Sequence, residues 1–146
     1  MSANGTKAFG LQLDATLKVI KQDLTRRFRE KGIDITPEQF ALLSTLAEKG
    51  ELAQKELATH TFKDAPTVSR IIDLLAKKGW INRVSDKEDR RKYVLSLTNQ
   101  GRSVFDAASP VVHQAREIGW RGLNENDYQQ LTSILERVVV NIQQQF

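Results

Sequence analysis

The stretch of sequence that decides the fold runs from residue 64 to residue 97 and reads DAPTVSRIIDLLAKKGWINRVSDKEDRRKYVLSL. In its first half, apolar residues recur at the three- and four-residue steps of a helix, Asp64 is suited to cap that helix, and Gly79 to end it. Its second half has two β-branched and aromatic runs, 80–85 and 92–97, separated by a wholly charged segment. The sequence therefore predicts a helix followed by a β-hairpin with a charged tip.

Helices are also predicted on the N-terminal side of this stretch. Apolar spacing predicts an amphipathic helix over 7–31 and a short helix over 54–60. Between them, the sequence at 36–39 is Thr-Pro-Glu-Gln, which forms a capping box with proline at the first helical position. The helix that it starts should end at Gly50.

On the C-terminal side, Thr98 is predicted to cap a long helix that runs to about Trp120, with a kink at Pro110. The last helix should begin after Asn124. The predicted fold is thus mainly α with a small β-hairpin wing. It is a winged helix-turn-helix over 36–98, flanked by N- and C-terminal helices.

The charge of the 146-residue chain is concentrated in this middle region. The net charge is +4, and residues 54–98 hold ten Lys or Arg against six Asp or Glu, which accounts for the whole excess. A basic lobe between neutral flanks favours an anionic partner such as double-stranded DNA. A solvated surface with uneven charge is the alternative.

Composition excludes several classes of function. Because cysteine is absent, the chain has no disulfide framework, thiolate metal site or cysteine nucleophile. His60 and His113 lack metal-ligand spacing, so we expect no metal and no cofactor. Neither a nucleophile–base pair nor a glycine-rich phosphate loop is evident, which argues against an enzyme. The lack of a signal peptide or of an apolar run of about 20 residues predicts a cytoplasmic protein without membrane contact.

The helix after Asp64 carries the first candidate DNA contacts. Thr67, Ser69 and Arg70 lie off its apolar stripe, where short polar groups and a forked guanidinium suit base edges and phosphates in the major groove. The alternative is an ordinary amphipathic surface helix.

The hairpin tip carries the second set. Its charges alternate in sign, so local ion pairs can hold its shape while an arginine reaches the narrow minor groove. A solvated turn is the alternative. The predicted DNA-binding residues are Thr67, Ser69, Arg70, Lys87, Arg90, Arg91 and Lys92.

Three motifs together resemble the MarR family of bacterial winged-helix regulators. They are TVSRIIDLLAKKGWINR at 67–83, DKEDRR at 86–91 and LSLTNQG at 95–101. The resemblance covers essentially the whole chain, read as one domain over 1–146. It implies a homodimeric repressor or activator that binds a pseudo-palindromic operator, with dimerisation helices at 7–31 and 100–146.

The resemblance also implies roles for single residues. The three helix residues named above would enter the major groove, and Arg91 would reach the minor groove. Asp89 would orient the wing, and Asp86 and Arg90 would support its shape.

Control of such a regulator would depend on a ligand. Family members that sense peroxide use cysteine, which this chain lacks, and those that sense zinc use clustered ligands. The remaining members answer to small, often aromatic molecules or to no known ligand. We predict that Phe28, Phe40 and Trp120 line a pocket for a small aromatic effector, the alternative being that these rings are plain core.

Two other functions remain open from sequence. A winged-helix module that binds protein without DNA is the main alternative, and the salt dependence of binding to duplex DNA would separate the two. An enzyme is the less favoured one.

Overall fold

The computed structural model describes residues 8–61 and 64–145, which divide into two compact units on either side of the bond between Val112 and His113. Within the first unit, the elements are α1 (Phe9–Glu30), α2 (Pro37–Lys49), β1 (Leu52–Ala53), α3 (Gln54–Thr61), α4 (Ala65–Lys77), β2 (Ile81–Ser85) and β3 (Tyr93–Leu97). Next comes α5 (Asn99–Gly119), which continues into the second unit, and then α6 (Glu125–Gln143). Every helix predicted from sequence is confirmed, although Lys7 lies outside the described residues.

Side-chain caps start the helices where the sequence predicts them. At α2, the Thr36 hydroxyl accepts a hydrogen bond from the Gln39 N–H (3.1 Å), and the Gln39 side chain accepts one from the Thr36 N–H (3.2 Å). At α4, the Asp64 carboxylate accepts from the Thr67 N–H at 2.8 Å. Each cap satisfies an N–H group that lacks a partner within the helix.

The core of the first unit forms where the apolar faces of its helices meet the sheet. The predicted stripe of α4 is buried, and so are the large apolar residues of α2 and the inward side chain of β3. The largest fully buried side chains are Phe28, Leu42, Leu43, Leu46, Leu57, Val68, Ile72, Leu75 and Leu95. Burial of this set holds α4 with one face turned inward and the opposite face outward.

The predicted hairpin is confirmed, and a third strand joins it. Strands β2 and β3 pair antiparallel from Ile81 opposite Leu97 to Ser85 opposite Tyr93. Strand β1 pairs with the free edge of β3, giving the order β1-β3-β2. Sequence reasoning missed β1 because two residues are too short to show alternation.

The start of α5 is locked onto the corner between α4 and β2. The Thr98 hydroxyl donates to the Gly79 carbonyl at 2.6 Å, and the Thr98 N–H donates to the Trp80 carbonyl at 3.1 Å. Thr98 also caps α5 by accepting from the Gly101 N–H at 2.9 Å. A Cβ atom at Gly101 would lie 1.9 Å from the Trp80 carbonyl oxygen, so only glycine permits this approach.

The two long C-terminal helices differ in burial. Helix α5 continues through Pro110 as one helix, and the kink expected there stays a prediction. Helix α6 has no buried residue. In residues 8–61 and 64–145, no helix combines the length and apolar character needed to cross a membrane.

We expect Gly101→Ala to lower the free energy of unfolding by about 3 kcal/mol, because the added methyl group overlaps the Trp80 backbone. Gly119→Ala is the matched control in the same helix, since a Cβ there meets no atom within 4 Å. It should be neutral or slightly stabilising. Urea denaturation at one fixed protein concentration measures both, and equal stability of the two variants would contradict this packing.

Candidate nucleic-acid interface

The outward side of α4 carries the predicted major-groove residues. Arg70 is exposed, and Thr67 and Ser69 are partly buried. Val68 and Ile72 point into the core from the other side of the helix. Within the described part of the chain, Arg70 has no ion-pair partner. The helix therefore presents a guanidinium with free hydrogen-bond donors.

The wing tip is braced by its own backbone and carboxylates. The Asp86 N–H donates to the Lys92 carbonyl (2.9 Å), and the Lys92 N–H donates to the Asp89 carbonyl (3.0 Å). The Asp86 carboxylate accepts from the Glu88 N–H at 2.9 Å. These bonds close the loop between β2 and β3 without a glycine. They fit the support that the resemblance assigns to Asp86.

Asp89 holds Arg91 in place. Its Oδ1 accepts from the Arg91 backbone N–H at 3.1 Å and from the Arg91 Nε–H at 3.2 Å. Both hydrogen bonds lower the pKa of the Asp89 carboxyl below its ordinary value, and the backbone bond has the larger effect. The Arg91 side chain is 92% exposed, so Asp89 orients the guanidinium while leaving it accessible.

The other predicted wing residues, Lys87, Arg90 and Lys92, are all exposed. None of the three forms an ion pair within the ranges that the structure describes. The tip thus displays four cations, of which Arg91 alone is oriented by a carboxylate.

An ion pair that sequence reasoning missed joins the hairpin to α4. The Arg83 Nη1 lies 2.7 Å from the Asp73 Oδ1, and the Arg83 guanidinium carbon lies 4.7 Å from the centre of the Tyr93 ring. The signal in the sequence is the position of Asp73, three residues after Arg70, which places an acid beside a predicted DNA contact.

The predicted effector residues fall in different units. Phe28 and Phe40 are buried in the first unit with ring centres 6.2 Å apart, and Phe40 also stacks on Phe105 at 5.6 Å. In the second unit, Trp120 meets Tyr128 edge-on at 5.4 Å. These contacts do not test whether the three rings line a pocket for an effector, so that pocket stays a prediction.

A cavity of about 550 Å³ lies at the turn between α5 and α6. Its lining residues are Arg116, Trp120, Leu123, Asn124, Glu125 and Tyr128. Of the predicted effector residues, Trp120 alone lines it.

Metal ligands are not clustered in the described residues, where no group of three His, Cys, Asp or Glu side chains could hold an ion. His60 and His113 are both exposed.

Comparison with known proteins points to one family. The sequence profile of the MarR family matches residues 35–93, from just before α2 to the start of β3. The transcriptional repressor NicR of Pseudomonas putida is 28% identical over 130 residues, which covers 88% of this chain and 82% of NicR.

Two solved structures share the fold. BpsR of Bordetella bronchiseptica, whose DNA binding is regulated by 6-hydroxynicotinic acid, superposes with a TM-score of 0.80 at 22% identity over 92% of this chain and 94% of that one. A mutant of MarR from E. coli in complex with operator DNA gives a TM-score of 0.71 at 22% identity over 90% and 96%.

We expect the pKa of Asp89, measured by carboxyl ¹³C NMR, to lie below its value in the unfolded chain. The stabilisation of the folded state by the bonds to Arg91 is therefore fully present above the unfolded-state pKa. It is lost as the pH falls through the lowered, folded-state pKa. Arg91→Ala should raise the pKa part of the way, because it removes the side-chain bond and keeps the backbone one. Arg90→Ala is the matched control and should leave the pKa unchanged; an ordinary pKa in the parent would contradict the assignment.

Proposed function

The MarR family profile matches residues 35–93 of this chain, and from that match and the likeness to NicR we propose that it is a sequence-specific, DNA-binding transcriptional repressor of this family. It acts in the cytoplasm as a homodimer on a pseudo-palindromic operator. A small aromatic effector releases it.

The observation that carries this proposal is the guanidinium of Arg70, which lies on the outward side of a helix-turn-helix and has no ion-pair partner among residues 8–61 and 64–145. In such a motif the second helix enters the major groove with its N-terminal half, which is where Thr67, Ser69 and Arg70 lie. A guanidinium forms two parallel hydrogen bonds with guanine, and short hydroxyls serve bases or phosphates.

The wing supports the same proposal. Arg91 is accessible and is oriented by Asp89, which suits insertion into a narrow minor groove with its concentrated negative potential. Lys87, Arg90 and Lys92 would meet backbone phosphates, which fix the register on the duplex without reading sequence.

The homodimer is supported by apolar surface that one chain leaves uncovered. Helix α6 has no buried residue, yet its apolar side chains follow helical spacing. Exposed large apolar residues on α1 are Phe9, Leu11, Leu13, Leu17, Val19 and Ile20, and on α6 they are Tyr128, Leu131, Ile134, Val139, Val140 and Ile142. Monomeric proteins rarely expose so many, and a two-fold pair of α4 helices would read half-sites about one helical turn apart.

The effector would act by favouring one spacing of the two α4 helices over another. It can shift DNA binding only by its differential affinity for the two arrangements. An aromatic acid is chemically similar to 6-hydroxynicotinic acid, which regulates the DNA binding of BpsR. Of the predicted effector residues, Trp120 lines a cavity of the second unit together with the cationic Arg116, and we propose Trp120 as the effector contact.

We expect the affinity for an operator selected from random duplexes to fall steeply as salt rises, because phosphate contacts release counterions. Arg70→Ala should weaken binding by about 1–3 kcal/mol per contacted guanine and relax the preference at that base position. Fluorescence anisotropy measures both effects. Arg121→Ala, which removes an equal charge from the second unit, is the control and should change neither. An affinity that is weak and insensitive to salt would favour the protein-binding module.

We expect at least one member of a panel of small aromatic acids to release the operator in the same assay. Trp120→Leu should weaken that response and leave the affinity without ligand unchanged, because Trp120 would contact the effector and not DNA. Mild peroxide should have no effect, since the chain has no cysteine to oxidise. Release by peroxide together with silence from the whole panel would contradict this mechanism.

A further inference from the structure

An acidic residue lies beside the proposed DNA contacts of α4. Asp73 follows Arg70 by three residues and Ser69 by four, so the three share one side of the helix. The Asp73 side chain is 56% exposed. An unpaired carboxylate here would face the phosphates of bound DNA and could also form an ion pair with Arg70.

The structure pairs Asp73 elsewhere. Its Oδ1 lies 2.7 Å from the Arg83 Nη1, and this is the one ion pair between α4 and the hairpin in residues 8–61 and 64–145. Arg70 forms no ion pair in the same residues. The carboxylate therefore turns towards β2 and away from Arg70.

Arg83 is itself held in place by the neighbouring strand. It stands opposite Leu95, and Tyr93 lies diagonally across on the same face of the sheet. The Arg83 guanidinium lies over the Tyr93 ring, with 4.7 Å between its carbon and the ring centre. Its side chain is 28% exposed, less than that of Asp73. The hairpin thus presents a fixed cation to Asp73.

We propose that Arg83 is a positioning residue that holds the Asp73 carboxylate, so that Arg70 stays available to DNA. It contacts neither base nor phosphate. This inference rests on the proposed function, because it needs α4 to enter the major groove. It also links the two DNA-binding elements, since a residue of the wing determines the charge that the recognition helix presents.

The test is a double-mutant cycle on the selected operator with Arg83→Met, Asp73→Asn and both changes together. Arg83→Met should weaken binding roughly two- to fivefold for the two half-sites together, because an exposed (i, i+3) ion pair between Asp73 and Arg70 must then be broken in each. Asp73→Asn alone should not weaken binding. The double variant should regain the parent affinity, because no carboxylate remains to capture Arg70.

Three controls accompany the cycle and separate this proposal from direct contact and from loss of charge. The slope of log affinity against log salt should be the same in Arg83→Met as in the parent, whereas loss of one phosphate contact in each half-site would reduce the slope by about 1.8 in total. Arg83→Lys keeps a cation and should retain most of the affinity. Arg121→Met removes an equal charge from the second unit and should bind as the parent does. Thermal unfolding checks each fold, and Arg83→Gln replaces Arg83→Met in the cycle if the latter does not fold.

The outcomes are distinct. A parent that binds no duplex in a salt-dependent manner overturns the proposed function and this inference with it. A parent that binds while Arg83→Met binds equally well overturns the inference alone. Equal weakness of Arg83→Met and the double variant also overturns it, and a reduced salt slope would then identify Arg83 as a phosphate contact.

Discussion

The contact between the backbone of α5 and the Trp80 carbonyl is the constraint on which the winged helix-turn-helix depends. At this point the end of α4, the start of β2 and the start of α5 meet, joined by the two hydrogen bonds that Thr98 donates to Gly79 and Trp80. Gly79 allows the chain to turn there with a φ of +76°. The Trp80 side chain is buried beneath the corner, with the Lys78 ammonium 4.4 Å from its ring centre. The direction of the hairpin and that of α4 are therefore fixed by one junction.

Acidic residues shape the basic lobe. Asp64 caps α4, Asp86 and Asp89 brace the wing tip, and Asp73 binds Arg83. Each of these carboxylates accepts a hydrogen bond from a specific donor nearby. The positive charge of the region is therefore left on the basic residues that have no acid beside them. The cations that have no acidic partner in the described residues therefore indicate the binding partner better than the net charge of the region does.

Local rules predicted most of the fold. Apolar periodicity and capping residues depend only on residues a few positions apart, so they predicted the helices from local sequence. The change to β-branched runs after Gly79 predicted the hairpin. Strand β1 could not be predicted, because its two residues pair with β3 across a long stretch of chain. The ion pair of Arg83 with Asp73 was missed for the same reason, since it needs the hairpin register and the rotation of α4. Thr67, Arg70 and Arg91 stay predicted DNA contacts. The resemblance assigned an orienting role to Asp89, and the structure adds the two hydrogen bonds by which Asp89 holds Arg91.

The lack of any buried residue on α6 has a consequence for the life of the protein in the cell. A helix that has no buried residue within its own chain would gain stability from association, and the folded fraction would then depend on protein concentration. A newly made chain would be most open to proteolysis before it meets a second copy. Dilution would return the protein to the unassociated state, in which α6 is open to proteolysis. The rate of turnover would therefore depend on the abundance of the protein.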